Sequence, residues 1–165
     1  VIEAARLLKD RADLAFVICG EGPNRANLAA QAQGLDNVQF HDLQPAEKMA
    51  SFLSLASVHL LPQIVGAADL VLPSKLTNML ASGRPVIATA APGTGLYAEV
   101  EGCGELTPPG DPVALAAGLV HLLDDPDRCA RLGEAARQRA RERWSKDSIL
   151  DALDIRLRAA GGGRA

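Results

Sequence analysis

The chain has 165 residues, 48% hydrophobic and 22% charged, with 17 basic against 20 acidic side chains for a net charge of −3. That length suits one domain with its own core. The charge balance excludes the basic footprint of a nucleic-acid binder, and no apolar run approaches the roughly 20 residues of a membrane span. Three cysteines, Cys19, Cys103 and Cys129, make neither an even set nor a CxxC pair, which argues for a reducing compartment and against a disulfide framework or a zinc site.

Val1 to Leu8 reads as the middle of an amphipathic helix, with Ile2, Ala5 and Leu8 on one side and no capping residue ahead of it, so the pattern expects further chain upstream. Leu14 to Cys19 is a continuous apolar run, expected as a parallel strand covered on both faces. It leads into Gly20-Glu21-Gly22-Pro23, a glycine turn in which Pro23 suits the first position of a helix running to a stop at Gly34. Asn37 to Phe40 is expected as a second strand, followed by the polar loop His41-Asp42-Leu43-Gln44. Met49, Phe52, Leu53 and Ala56 recur at helical spacing, predicting a helix packed by one face, and Val58 to Pro62 is expected as a third strand.

The stretch from Gly66 to Thr89 carries the most information. Ser74 is expected to cap a helix over 74–82, its hydroxyl accepting a backbone N–H near Leu76 or Thr77. Leu76, Met79 and Leu80 form the packing face, Gly83 supplies a left-handed stop, and a buried strand follows over 85–89. The first turn of such a helix holds unpaired N–H groups and the positive end of the dipole, and Lys75 adds a full charge, a combination that attracts phosphate.

Beyond it, Ala91 to Gly102 is expected as a loop because it carries Gly93 and Gly95, and Gly104 to Thr107 as a last short strand. Asp111-Pro112 and Asp125-Pro126 each place an N-cap Asp before a Pro at the first helical position, opening two helices. Ser145 caps a final helix carrying Ile149, Leu150, Leu153 and Leu157, and the tail from Gly161 to Ala165 is expected to be disordered. Alternating strands and helices of these lengths give an α/β fold, a Rossmann-like doubly wound parallel sheet. Ligands in such folds bind beyond the carboxyl ends of the strands, which directs attention to loops 20–23, 41–44, 63–75 and 90–95.

Gly20-x-Gly22 invites a dinucleotide reading, with Asp42 about twenty residues on. Arg25 occupies the place of the third glycine, and Pro23 removes an N–H that would hold a pyrophosphate, so the pattern opposes an NAD-dependent oxidoreductase. His41, His59 and His121 share no metal-ligand spacing, and of the three only His41 lies where a ligand would reach it.

The order of segments resembles the C-terminal, donor-binding domain of the GT-B glycosyltransferases, family 4. The resemblance rests on Phe16 to Pro23 (FVICGEGP), Asn37 to Phe40 (NVQF), Pro73 to Leu76 (PSKL) leading into Leu80 to Ala88 (LASGRPVIA), and Cys103 to Asp111 (CGELTPPGD). Within that family Gly66 to Asn78 (GAADLVLPSKLTN) looks most like the colanic acid type of exopolysaccharide transferase. The match extends to about Asp151. It divides the chain into a donor-binding domain over 1–158 and a tail over 159–165.

What the resemblance implies is transfer of a hexosyl unit from a nucleoside diphosphate sugar, GDP- or UDP-linked, with retention of anomeric configuration. No further cofactor and no active-site metal are expected. The acceptor would be a growing surface polysaccharide or a lipid-linked sugar, in the cytoplasm at the inner face of the membrane. By the same resemblance Ser74, Lys75 and Leu76 would hold the diphosphate, His41, Asp42 and Leu43 would border the base, and Gly20 and Gly22 would let the backbone approach the nucleotide.

Two departures stand out. Family 4 carries paired glutamates eight positions apart where this chain has Leu70 and Asn78. Asn78 can still hydrogen-bond a ribose, whereas Leu70 has no polar role. The family's donor domain also begins with a strand and a basic loop that would precede Val1, and an acceptor-binding domain precedes those. This chain by itself is therefore expected to lack the first strand of the sheet and to be inactive alone. The alternatives are a non-catalytic nucleotide-binding module and a GT-B type sugar nucleotide epimerase.

Overall fold

The computed structural model of the chain describes residues 1–64 and 72–161, without the side chains of 160 and 161. Among them the elements run α1 (Ile2–Leu7), β1 (Phe16–Cys19), α2 (Arg25–Gln31), β2 (Val38–His41), a 3-10 turn at Ala46–Lys48, α3 (Met49–Leu55), β3 (His59–Leu61), α4 (Lys75–Ala81), β4 (Val86–Thr89), α5 (Gly95–Val100), β5 (Gly104–Thr107), α6 (Pro112–Leu123), α7 (Pro126–Trp144) and α8 (Lys146–Gly161). Every strand pairing is parallel. β1 pairs with β2, Phe16 opposite Val38 and Cys19 opposite His41. β4 lies between β3 and β5, with Val86 opposite both His59 and Gly104. The expected parallel α/β architecture is what the chain adopts, its described strands arranged as a two-stranded and a three-stranded sheet.

The core is built on β4, whose four residues are all buried because helices cover both of its faces. Val86 and Ala88 join Leu76 and Leu80 of α4, Leu96 and Val100 of α5, and Ala136 and Ala140 of α7. Ile87 points the other way, into a cluster with Leu115, Leu119 and Leu122 of α6 and Ile2 of α1. Phe16 of β1 belongs to that second cluster too, so one apolar layer spans both sheets. At ~1.5–3 kcal/mol for each fully buried large side chain, these leucines and valines supply the main stabilising term.

Small residues let α7 lie close. Gly133, Ala136 and Ala140 are its buried positions, a stripe at three- and four-residue spacing that faces α4. The two Asp-Pro openings act as expected: Asp111 accepts from the N–H groups of Val113 and Ala114, and Asp125 from that of Arg128. Ser145 likewise accepts from the Ser148 N–H at 3.1 Å.

Several expectations need correction. Val17 is 51% exposed, so β1 is covered on the Phe16 and Ile18 side and open on the other, where the continuous apolar run had suggested two covered faces. α2 begins at Arg25 and ends at Gln31, leaving Pro23 in the preceding turn and Gly34 (φ +77°) in the turn beyond the helix. His41 is the last residue of β2, hydrogen-bonded in register with Cys19, and not the first of a loop. The segment read as a loop over 91–102 contains α5, opened by Thr94, whose hydroxyl accepts from the Tyr97 N–H at 3.2 Å. α8 runs to Gly161, and residues 162–165 of the expected tail lie outside the described residues.

Candidate functional site

The carboxyl ends of β1 and β2 are knitted together by backbone and side chain. The Gly20 N–H donates to the His41 carbonyl at 3.1 Å, and the Cys19 thiol donates to the Asp42 carbonyl at 2.9 Å. Arg25, the first residue of α2, reaches back across both loops: its Nη1 donates to the Gly20 carbonyl at 2.9 Å and the His41 carbonyl at 3.2 Å. The same nitrogen lies 3.0 Å from Asp42 Oδ1. Gly20 takes φ +141°, a conformation that side chains rarely adopt, and no chain atom lies within 4 Å of where its Cβ would be. Gly22 also faces open space, without the positive φ. The His41 ring is exposed, with Nε2 3.4 Å from Gln39 Oε1, and Leu43 is 65% exposed.

The second group of candidates sits on α4. Ser74 was expected to cap this helix through its hydroxyl, but its backbone is already helical (φ −58°, ψ −23°) and its side chain makes no capping bond. Its carbonyl instead accepts from the Thr77 hydroxyl at 3.1 Å. Leu76 is 0% exposed and its N–H donates to the Pro73 carbonyl at 3.0 Å, so its side chain serves the core. Lys75 is exposed and forms no ion pair with any of the described residues.

Asn78 is also exposed, one turn further along. It lines a cavity of about 370 Å³ between α4 and the last turns of α7, together with Thr77, Arg137, Arg141 and Trp144. Nothing in the spacing of those α7 residues points to α4, since only the packing of the two helices brings them beside it. Leu70, the other position of the departure from the glutamate pair, lies outside the described residues.

The end of β3 is fastened to the end of β4 by Thr89, whose Oγ1 accepts from the Gln63 N–H at 2.6 Å and donates to the Gln63 carbonyl at 2.9 Å. The structure thus gathers Gly20, His41 and Asp42 into one group and Ser74, Lys75, Leu76 and Asn78 into another. No hydrogen bond or ion pair joins the two among the described residues. In the sequence Arg25 shows only as a break in a glycine pattern, and its contacts with Gly20, His41 and Asp42 come from the packing of α2 against the strand ends.

Other reactive groups are structural. Burial pushes the Cys103 and Cys129 thiols up, away from a thiolate at neutral pH. His59 is buried and held by Ser82. Among the described residues no cluster of three His, Cys, Asp or Glu side chains is placed to hold a metal ion. No helix of the described residues is long and apolar enough to cross a membrane.

Comparison with known proteins places this arrangement. The chain is 39% identical over 155 residues to a protein of Escherichia coli (strain K12) named for colanic acid biosynthesis, the glycosyl transferase WcaI; the match takes in 91% of this chain and 37% of that one. It is 31% identical over 170 residues to the D-inositol 3-phosphate glycosyltransferase of Salinispora tropica, covering 94% of this chain and 34% of the relative. The chain therefore spans little more than a third of the length of these relatives. Among solved structures, HepE of Anabaena in complex with UDP-glucose superposes with a TM-score of 0.78 at 19% identity, over 96% of this chain and 44% of that one. Sucrose-phosphate synthase from Thermosynechococcus elongatus superposes with a TM-score of 0.74 at 26% identity, over 96% and 42%. The fold is that of GT-B glycosyltransferase structures. The family model for glycosyl transferases group 1 matches residues 1–139, and the chain belongs to that family.

Proposed function

We propose that this chain is the donor-binding part of a retaining glycosyltransferase that moves a hexosyl unit from a GDP- or UDP-linked sugar to a growing surface polysaccharide or lipid-linked acceptor. The observation that carries the reading is Lys75, exposed and without an ion pair among the described residues at the opening of α4, in a chain that matches the group 1 family over most of its length. Departure of a nucleoside diphosphate builds negative charge on the β-phosphate. A lysine and backbone dipoles already aimed at that place stabilise it without reorganising, each by ~1–4 kcal/mol in a water-poor cleft. Asn78 follows one turn later, exposed, and its amide offers both a donor and an acceptor to a ribose. Ser74 contributes from the same turn, while Leu76 anchors that turn to the core.

A relative named for colanic acid biosynthesis supports the acceptor class, and HepE, solved with UDP-glucose, supports the donor class. The acceptor would be bound by a separate N-terminal domain, the chemistry would need no metal, and the whole enzyme would work at the cytoplasmic face of the membrane. Leu70 and Asn78 in place of acidic residues favour one second reading, a nucleotide-binding module without transfer activity.

Calorimetric titration with UDP and GDP tests the proposal. Binding of one of them that weakens at least tenfold in Lys75→Ala is expected. A folded protein that binds neither nucleotide, or a variant that binds as well as the parent, would overturn it. Slow hydrolysis of the matching nucleotide sugar by the complete protein separates a transferase from a silent module.

A further inference from the structure

We infer that Arg25 is a positioning residue for the nucleotide end of this site, a clamp that holds the loop after β1 and the loop after β2 in one fixed relation. The inference rests on the donor-site reading for the identity of the ligand and on geometry for the clamp itself. The Arg25 Nη1 has two hydrogens and two carbonyl acceptors, Gly20 at 2.9 Å and His41 at 3.2 Å. Gly20 opens the loop after β1, and His41 is the last residue of β2, directly before the loop that follows it. The charge that remains faces Asp42 Oδ1 at 3.0 Å.

Both carbonyls belong to residues with a second tie. The Gly20 N–H already donates to the same His41 carbonyl at 3.1 Å, and the neighbouring Asp42 carbonyl accepts from Cys19 at 2.9 Å. Arg25 therefore completes a closed set of bonds around the backbone of Gly20, His41 and Asp42. That pins the one segment with φ +141°, in which a free glycine would otherwise sample many conformations.

Reach decides which side chain can do this. All three acceptors meet one nitrogen, Nη1, whose two hydrogens lie in the guanidinium plane. A lysine ammonium carries donors enough, but its stem ends one bond short of the place of Nη1 and does not span to both carbonyls. The Arg25 and Asp42 side chains are 32% and 78% exposed, so as an ion pair in solvent the contact is weak. Its significance lies in ordering two loops, not in global stability. The arrangement also turns one carboxylate oxygen of Asp42, Oδ1, toward Arg25.

The test compares the parent protein with Arg25→Lys and Arg25→Ala, reading amide hydrogen exchange at residues 20–22 and 41–44 together with affinities for UDP, GDP and pyrophosphate. Expected are faster exchange confined to those two loops, protection of β4 unchanged, and nucleoside diphosphate affinity reduced five- to twentyfold with pyrophosphate affinity intact. The lysine variant should behave like the alanine one. Unchanged exchange in the two loops overturns the clamp, and so does an equal loss of pyrophosphate affinity, which would mean a general structural role. Failure of the parent to bind either nucleotide overturns the donor-site reading and with it the ligand assigned here, while the exchange measurement still decides whether Arg25 holds the loops.

Discussion

His59 on β3 and Ser82 at the end of α4 are joined by a hydrogen bond of 3.0 Å between Nε2 and Oγ, and the other contacts of Ser82 fix its direction. The Ser82 hydroxyl donates to the Met79 carbonyl at 2.6 Å and accepts from the Arg84 N–H at 3.2 Å. Its proton is already used, so the imidazole is the donor, neutral and protonated on Nε2. Burial, with the Arg84 charge as a lesser cause, pushes the His59 pKa below its ordinary value of 6.5.

The sign of the pH effect follows. Folding disfavours the charged imidazole, so the stability is fully present above the unfolded-state pKa. It falls as pH drops below about 6.5 and levels off once the folded-state pKa is passed. Urea unfolding at pH 7.5 and 5.5 should show a larger loss for the parent protein than for His59→Gln. A gap between the two proteins that stays constant with pH would refute this assignment.

Gly133 of α7 lies against the carbonyl of Gly83, and a Cβ added to residue 133 would fall closer to that oxygen than real Cβ atoms come. The obstacle is backbone, and Gly83 cannot easily yield because it sits at φ +73° with the Arg137 guanidinium beside it. Alanine would gain up to about 1 kcal/mol of helix propensity, set against an overpacking cost of roughly 1–3 kcal/mol. Against a backbone oxygen the cost falls in the upper part of that range, so Gly133→Ala is expected to lower unfolding free energy by about 1–2 kcal/mol, read from the denaturation midpoint. A variant as stable as the parent would show that α7 can move away from α4 freely.

Asn78 is exposed, so its substitution tests binding without disturbing the core. If Asn78 holds the ribose as proposed, removing its amide forfeits about 1 kcal/mol of neutral hydrogen bonding. Asn78→Ala should weaken UDP or GDP binding roughly threefold to tenfold and leave the melting temperature within about 2 °C, the usual margin for an exposed side chain. Pyrophosphate, which has no ribose, should bind the variant as before. Equal weakening of pyrophosphate would move Asn78 out of the ribose role and next to the phosphates.

Much of the fold is legible because local chemistry and burial point the same way. Val86-Ile87-Ala88-Thr89 is a short run between Gly83-Arg84-Pro85 and the Pro92-Gly93 turn, and it became the fully buried central strand. Asp111-Pro112 and Asp125-Pro126 announce helix starts by residue type alone, and both carboxylates cap as expected. Where two local signals compete, reading is harder. Gly93 and Gly95 mask α5, whose real markers are the Thr94 cap and the buried pair Leu96 and Val100. Ser74 has the composition of a cap, yet the incoming chain places its backbone in the helical region and its hydroxyl outside reach of the first-turn N–H groups.

The sequence by itself determined the alternating α/β order, the glycine turn after the first strand and the lysine at the head of the helix before Gly83. These depend on the conformational freedom of glycine, the missing N–H of proline and the period of the apolar residues, all of which act within a few positions. Only the tertiary structure decided that Arg25 ties Gly20 to His41 and faces Asp42, that Leu76 belongs to the core, and that Arg137, Arg141 and Trp144 stand beside Asn78. Each of these joins residues from separate elements, and a one-dimensional pattern holds no record of which elements will pack side by side until the buried faces of β4, α4 and α7 have found one another.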